Sequence, residues 1–177
     1  VLAAVGVVVI VGFVIGGLFL SNGGDPKTKP KPVASATVPP KAPAPLKFTV
    51  SSYTTSGDGF RDKGNVWDTH TYKTTKFGNL KPGVGLVLDL GSAKEVTSVS
   101  FNAETGPMKV ELHSADAMPT GTSGGKIVGE ATTANGKTVL DASKGGKHQY
   151  WMIWVTELGP TRKAVISGIS AAAVPAP

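Results

Sequence analysis

Three aspartates, Asp58, Asp62 and Asp68, lie close together in one glycine-bearing stretch. Carboxylate oxygens from a loop are the hard ligands that Ca²⁺ takes, so the three are candidates for a bound cation. Their spacing is not that of an EF-hand, and Asp58-Gly59 is also ordinary turn chemistry. Aromatic residues crowd the same region: Tyr53, Phe60, Trp67 and Tyr72. Aromatic faces beside Asp and Arg are the materials of a sugar site, where rings stack on C–H groups and a few polar groups fix orientation. Asp58, Arg61, Trp67, Tyr72 and Lys73 are the ligand-binding candidates on this reading. Arg61, Lys73 and Lys76 could instead hold a carboxylate or phosphate. The alternative is structural, with Trp67 and Tyr72 packing over the open end of a sandwich.

Catalytic constellations are not found. His70, His113 and His148 stand apart, with none in a spacing such as HExxH. There is no GxSxG and no Cys nucleophile. His113 alternates with Lys109 and Glu111, which places it on a solvent face, and His148 follows Gly145-Gly146-Lys147 as a loop residue. No enzyme is expected, no catalytic residue is assigned, and no cofactor is expected beyond a possible Ca²⁺. Absence of Cys also excludes disulfides and thiolate metal sites.

Net charge is +6, but it is unevenly placed. Between 21 and 47, Lys27, Lys29, Lys31, Lys41 and Lys47 oppose only Asp25, giving +4. Residues 48–177 hold thirteen basic and eleven acidic residues, giving +2. A nearly neutral domain lacks the basic face that nucleic-acid binding requires.

The elements that must position these residues are strands. Residues 77–91, FGNLKPGVGLVLDLG, set the pattern. A turn from Gly78 to Gly83 leads into a strand with Val84, Leu86, Leu88 and Leu90 on one face and Gly85, Val87 and Asp89 on the other. Pro82 belongs to the turn, and Gly91 is expected to end the run. Leu46, Phe48 and Val50 alternate likewise, as do Val99 with Phe101, and Met108 with Val110 and Leu112. Lys126–Thr133 and Lys137–Ala142 flank Asn135-Gly136, a type I′ hairpin signal. Tyr150–Val155 is apolar on both faces, which predicts a central strand covered on both sides. Ala164–Ala173 reads as a last strand. Eight or nine strands and no soluble helix give an all-β sandwich over 47–174.

Ahead of it, residues 1–20 are uncharged, apolar or Gly throughout. As a helix they would span about 30 Å, the thickness of a bilayer core. A single transmembrane helix is expected there, with Gly12 and Gly16 in a GxxxG pair. Residues 21–46 carry seven prolines and read as an extended linker. The chain starts at Val1, as expected of a processed product or of a piece of a longer polypeptide.

Three stretches carry a resemblance: Ser52-Tyr53 with Gly57-Asp58-Gly59; Trp67 through Gly91; and Tyr150–Thr156. Together they resemble the galactose-binding-like, discoidin-type jelly roll, over about residues 48–173. More closely, the layout is similar to the C-terminal part of actinobacterial MviN-type lipid II flippases fused to a pseudokinase-like domain. The segment from Arg61 to Val66 departs from that pattern: it is short and has no Asp-Gly dipeptide. The resemblance implies a jelly roll of about eight strands, outside the cell membrane on a single-pass segment. It also implies a non-catalytic role in peptidoglycan biosynthesis, binding a cell-wall carbohydrate or a peptidoglycan precursor. The other expectation is a docking or spacer domain that meets protein partners in the envelope and binds no sugar.

Overall fold

Eleven strands in two antiparallel sheets make up the computed structural model, which describes residues 42–120 and 124–173. In chain order they are β1 (Ala44–Pro45), β2 (Thr49–Thr54), β3 (Arg61–Asp62), β4 (Val66–Asp68), β5 (Val84–Glu95) and β6 (Ser98–Ala103). They continue as β7 (Lys109–Ala115), β8 (Lys126–Thr132), β9 (Gly136–Asp141), β10 (Lys147–Glu157) and β11 (Val165–Ala173). One sheet runs β2-β5-β10-β7-β8; the other runs β3-β4-β11-β6-β9, with β1 also paired to β11. The count exceeds the expected eight because β1, β3 and β4 have only two or three residues each. Alternation cannot register in so short a run.

The core lies between the sheets. Val84, Leu86, Leu88 and Leu90 of β5 face it with Trp151, Ile153 and Val155 of β10 and Val110 and Leu112 of β7. Val99, Phe101, Leu140 and Ile166 close it from the opposite sheet. The expected period of two therefore holds. β10 is central, between β5 and β7, and its other face buries Met152 and Trp154 against Val87. That explains its apolar residues on both sides. Gly83 and Gly85 lie beneath the Trp154 indole: a Cβ on Gly83 would come within 2.6 Å of it, and one on Gly85 within 2.9 Å.

Several expectations are corrected. Gly91 does not end β5; at φ 70° it bends the strand, its N–H donates to Asp89 Oδ1 at 2.7 Å, and pairing resumes with Lys94 opposite His148. Asn135-Gly136 does not close a hairpin, because β8 pairs with β7 in one sheet and β9 with β6 in the other. The reversal there is a crossover between sheets. His113 is only 7% exposed, and its Nε2 lies 2.8 Å from Glu111 Oε2. It sits on the outer face of β7 beneath Gly124, beside Met152. His148 lies within β10 rather than a loop, 2.7 Å from Asp116.

The stretch read as linker reaches into the sheet, with Ala44 opposite Ala173 and the Leu46 N–H donating to Ala171 O at 2.8 Å. The expected transmembrane helix at 1–20 lies outside the described residues. Among the described residues, no helix is long and apolar enough to cross a membrane.

Candidate functional site

Strand directions bring the segments 54–60, 69–83 and 158–164 to one end of the sandwich. Thr54 pairs with Val84, Val84 with Val155, and Val165 with Asp68. A cleft of about 300 Å³ opens there, lined by Ser56, Asp58, His70, Tyr72, Leu80 and Lys81.

Each wall has a structural support. Tyr72 stands edge-on to Phe77, ring centroids 5.2 Å apart, and Phe77 is wholly buried. The Tyr72 N–H donates to Arg162 O at 2.8 Å. Lys81 crosses the cleft: its Nζ lies 5.7 Å from the Tyr72 ring centroid and donates to Asp58 O at 2.5 Å and Thr54 Oγ1 at 3.1 Å. The Asp58 carboxylate is left 80% exposed, 3.5 Å from His70 Nε2. Burial raises the Tyr72 hydroxyl above its ordinary range, and the Asp58 charge adds to that. Burial lowers Lys81, with Asp58 acting the other way. An aromatic ring, an open carboxylate, a cation and an imidazole thus converge. Such a set can bind hydroxyl groups as donor and acceptor; it shows no nucleophile–base pair for covalent chemistry.

The floor between Tyr72 and Lys81 is a left-handed turn. Phe77, Gly78 and Asn79 have φ of 54°, 66° and 61°. A bulky residue such as Phe at positive φ is a strained conformation, costing about 1–3 kcal/mol. Its side chain in the core and the bond from Gly78 N–H to Thr74 Oγ1 at 3.1 Å hold it. The turn lifts Leu80 into solvent, 73% exposed.

Of the expected site residues, the structure brings Asp58 and Tyr72 together and leaves the others elsewhere. Trp67 is 9% exposed and belongs to the core, so its faces are covered by the sandwich and cannot stack on a sugar. Phe60 is in the core as well. Arg61 is turned to Asp68, with Nε and Nη2 each 2.9 Å from Oδ1. Lys73 is exposed and does not line the cleft; its carbonyl accepts from Arg162 Nη1 at 3.3 Å. Tyr53 packs beside Trp154 on the outer sheet face.

The three aspartates do not converge on a cation. Asp68 is 3% exposed, and Lys63 and Lys163 sit 2.9 and 2.8 Å from Oδ2, opposite Arg61 on Oδ1. Its oxygens are already occupied by three cations of the chain. Asp62 Oδ1 accepts the Gly64 N–H at 2.8 Å, closing a turn. Among the described residues no group of three His, Asp or Glu is arranged to hold a metal ion.

His70, Leu80 and Lys81 were missed as site residues. Leu80 and Lys81 carried one signal: a large apolar residue beside a Lys within an otherwise polar Gly/Pro turn.

The fold is that of carbohydrate-binding modules of the jelly-roll type. One similar structure is chitosan-binding module 1 of a chitosanase/glucanase from Paenibacillus sp. IK-5, at 15% identity and TM-score 0.52, covering 71% of this chain and 95% of that one. Another is the family 32 module of AlyQ in complex with 4,5-unsaturated mannuronic acid, at 14% identity and TM-score 0.50, covering 72% and 97%. No protein-family model matches the chain, and no curated protein matches it.

Proposed function

We propose that the sandwich is a non-catalytic carbohydrate-binding domain, held outside the cell membrane by residues 1–20, that binds a cell-wall glycan or peptidoglycan precursor during wall synthesis. The observation that carries the sugar reading is the cleft at the loop end, where Tyr72, Asp58, His70 and Lys81 converge. Solved structures of this fold, named above as chitosan- and mannuronate-binding, support the ligand class. The wall setting rests on the sequence resemblance. Ca²⁺ is kept as a variable of the test, since the aspartates proposed for it stand apart.

One observation favours a second reading, a docking or spacer domain with no sugar ligand: Trp67 is buried.

The test is NMR on the full chain in lipid nanodiscs, titrated with muropeptides with and without Ca²⁺. Saturable shifts at Asp58, His70, Tyr72 and Lys81 are expected, at a Kd near 1 mM or below, about −4 kcal/mol. Tyr72→Ala is expected to weaken binding about tenfold, as loss of an aromatic contact worth roughly 1.4 kcal/mol. A silent titration at millimolar ligand overturns the sugar reading and leaves the docking one.

A further inference from the structure

We propose that this cleft is one station of a longer groove that binds an extended glycan chain of several sugar residues, and that Leu80 is the ridge the chain crosses. The inference rests on the carbohydrate reading above and adds the ligand's length and course.

Continuity is the first observation. Leu80 and Lys81 line the Tyr72 cleft and also a second one of about 620 Å³, whose other walls include Lys76, Asn79 and Pro82. That second cleft shares Thr156 with a third of about 340 Å³ at Lys109, Glu111 and Glu130. Three concavities joined through shared walls make a track that runs from one end of the sandwich onto the outer face of β7 and β8. A monosaccharide needs only one of them.

The ridge is the second observation. Leu80 is the most exposed large apolar side chain among the described residues. It is not a mobile tip. Three consecutive residues at positive φ precede it, its N–H donates to Phe77 O at 3.2 Å, and its carbonyl accepts from Ser56 Oγ at 3.3 Å. Strain kept to hold a leucine in water is the kind of arrangement that accompanies ligand contact. An apolar knob between two hollows that also carry polar side chains suits the C–H face of a pyranose passing from one to the next.

Charge is the third. Lys76 and Lys109 share Glu157 Oε2, at 3.1 and 2.9 Å, and Glu111 and Glu130 line the third cleft. Cations and carboxylates along the track nearly balance. A polyphosphate or nucleic acid would want one sign throughout, whereas hydroxyl-rich chains use donors and acceptors alike.

The experiment compares peptide-free wall disaccharide, tetrasaccharide and hexasaccharide on the full chain in nanodiscs, by calorimetry and by methyl NMR of Leu80. The tetrasaccharide is expected to bind at least about tenfold tighter than the disaccharide. Leu80 methyl signals should move with the longer chains. Leu80→Ser, a surface change, should weaken the tetrasaccharide by a much larger factor than the disaccharide and so close most of the gap between them. Equal affinities at all lengths, or silent Leu80 methyls while His70 and Tyr72 shift, overturn the groove and leave the sugar site standing. No shift anywhere with any length overturns the sugar reading itself, and the groove with it.

Discussion

Asp68 shows how one buried charge organises its neighbourhood. Burial opposes its ionisation, but hydrogen bonds from Lys163, Lys63 and Arg61 outweigh that and hold the carboxyl well below the usual carboxylate range. The folded-state value is depressed, so the ion's stabilisation is complete above the unfolded value near 3.9 and is lost as pH falls below it. Asp68→Asn should cost about 2 kcal/mol at pH 7. Fully buried pairs lose roughly 3–5 kcal/mol on removal of one partner, but here the cations left behind reach solvent. Urea unfolding at a series of pH values should show the gap between wild type and variant constant from about pH 6 upward and shrinking below about pH 4. A gap that widened in acid would contradict this account. The same residue explains why Arg61 does not line the cleft and why Asp68 stands apart from Asp58. Composition showed Arg and Asp side by side, but the short ladder of β3 on β4, with Arg61 opposite Asp68, turned them toward each other. Asp58 and Tyr72, picked out as loop residues beside aromatics, both line the cleft.

At the scale of the element, β5 and β10 illustrate what alternation can and cannot tell. Four inward side chains on β5 were readable, and so was the two-faced burial of β10. The reason for Gly83 and Gly85 was not: it is the indole of Trp154, which arrives from a strand some seventy residues later in the chain. A Cβ on Gly83 would meet Val155 O at 2.5 Å as well as the indole, and a backbone carbonyl cannot yield. On Gly85 it would meet Met152 Sδ at 2.7 Å and the indole at 2.9 Å, both side-chain atoms. Overpacking costs about 1–3 kcal/mol. Gly83→Ala should fall at the upper end and Gly85→Ala at the lower, read by urea unfolding followed through tryptophan fluorescence. The Asn135-Gly136 signal failed for a related reason. A turn dipeptide reports that the chain reverses, not which strand the next one joins.

For the whole molecule, the crossovers between sheets decide the topology; five of them reach the site's end of the sandwich, and three of these are tied to one another. The three are 104–108, 133–135 and 158–164. Asn135 Oδ1 accepts the Gly106 N–H at 2.7 Å, and Thr105 Oγ1 donates to Lys163 O at 2.8 Å while accepting the Val165 N–H at 2.9 Å. The close approaches fall at glycines: a Cβ on Gly106 would lie 2.7 Å from the Ala134 backbone, and one on Gly159 would lie 2.5 Å from Pro107 O. Asn135→Ala should cost about 1 kcal/mol, lowering Tm by roughly 2–4 °C in a calorimetric scan. An unchanged Tm would mean the crossovers are held by packing alone.

The pairing of Ala44 with Ala173 has a consequence for access. β1 and the end of β11 lie side by side, while Val165, at the start of β11, pairs with Asp68 beside the cleft. The nine residues of β11 run from one to the other, at most roughly 26 Å. Ala44 and Ala173 therefore lie at the pole opposite the cleft. The rim bearing Leu80 and the strand ends at Ala44 and Ala173 thus lie at opposite poles of the sandwich, so substitutions at either pole leave the other untouched.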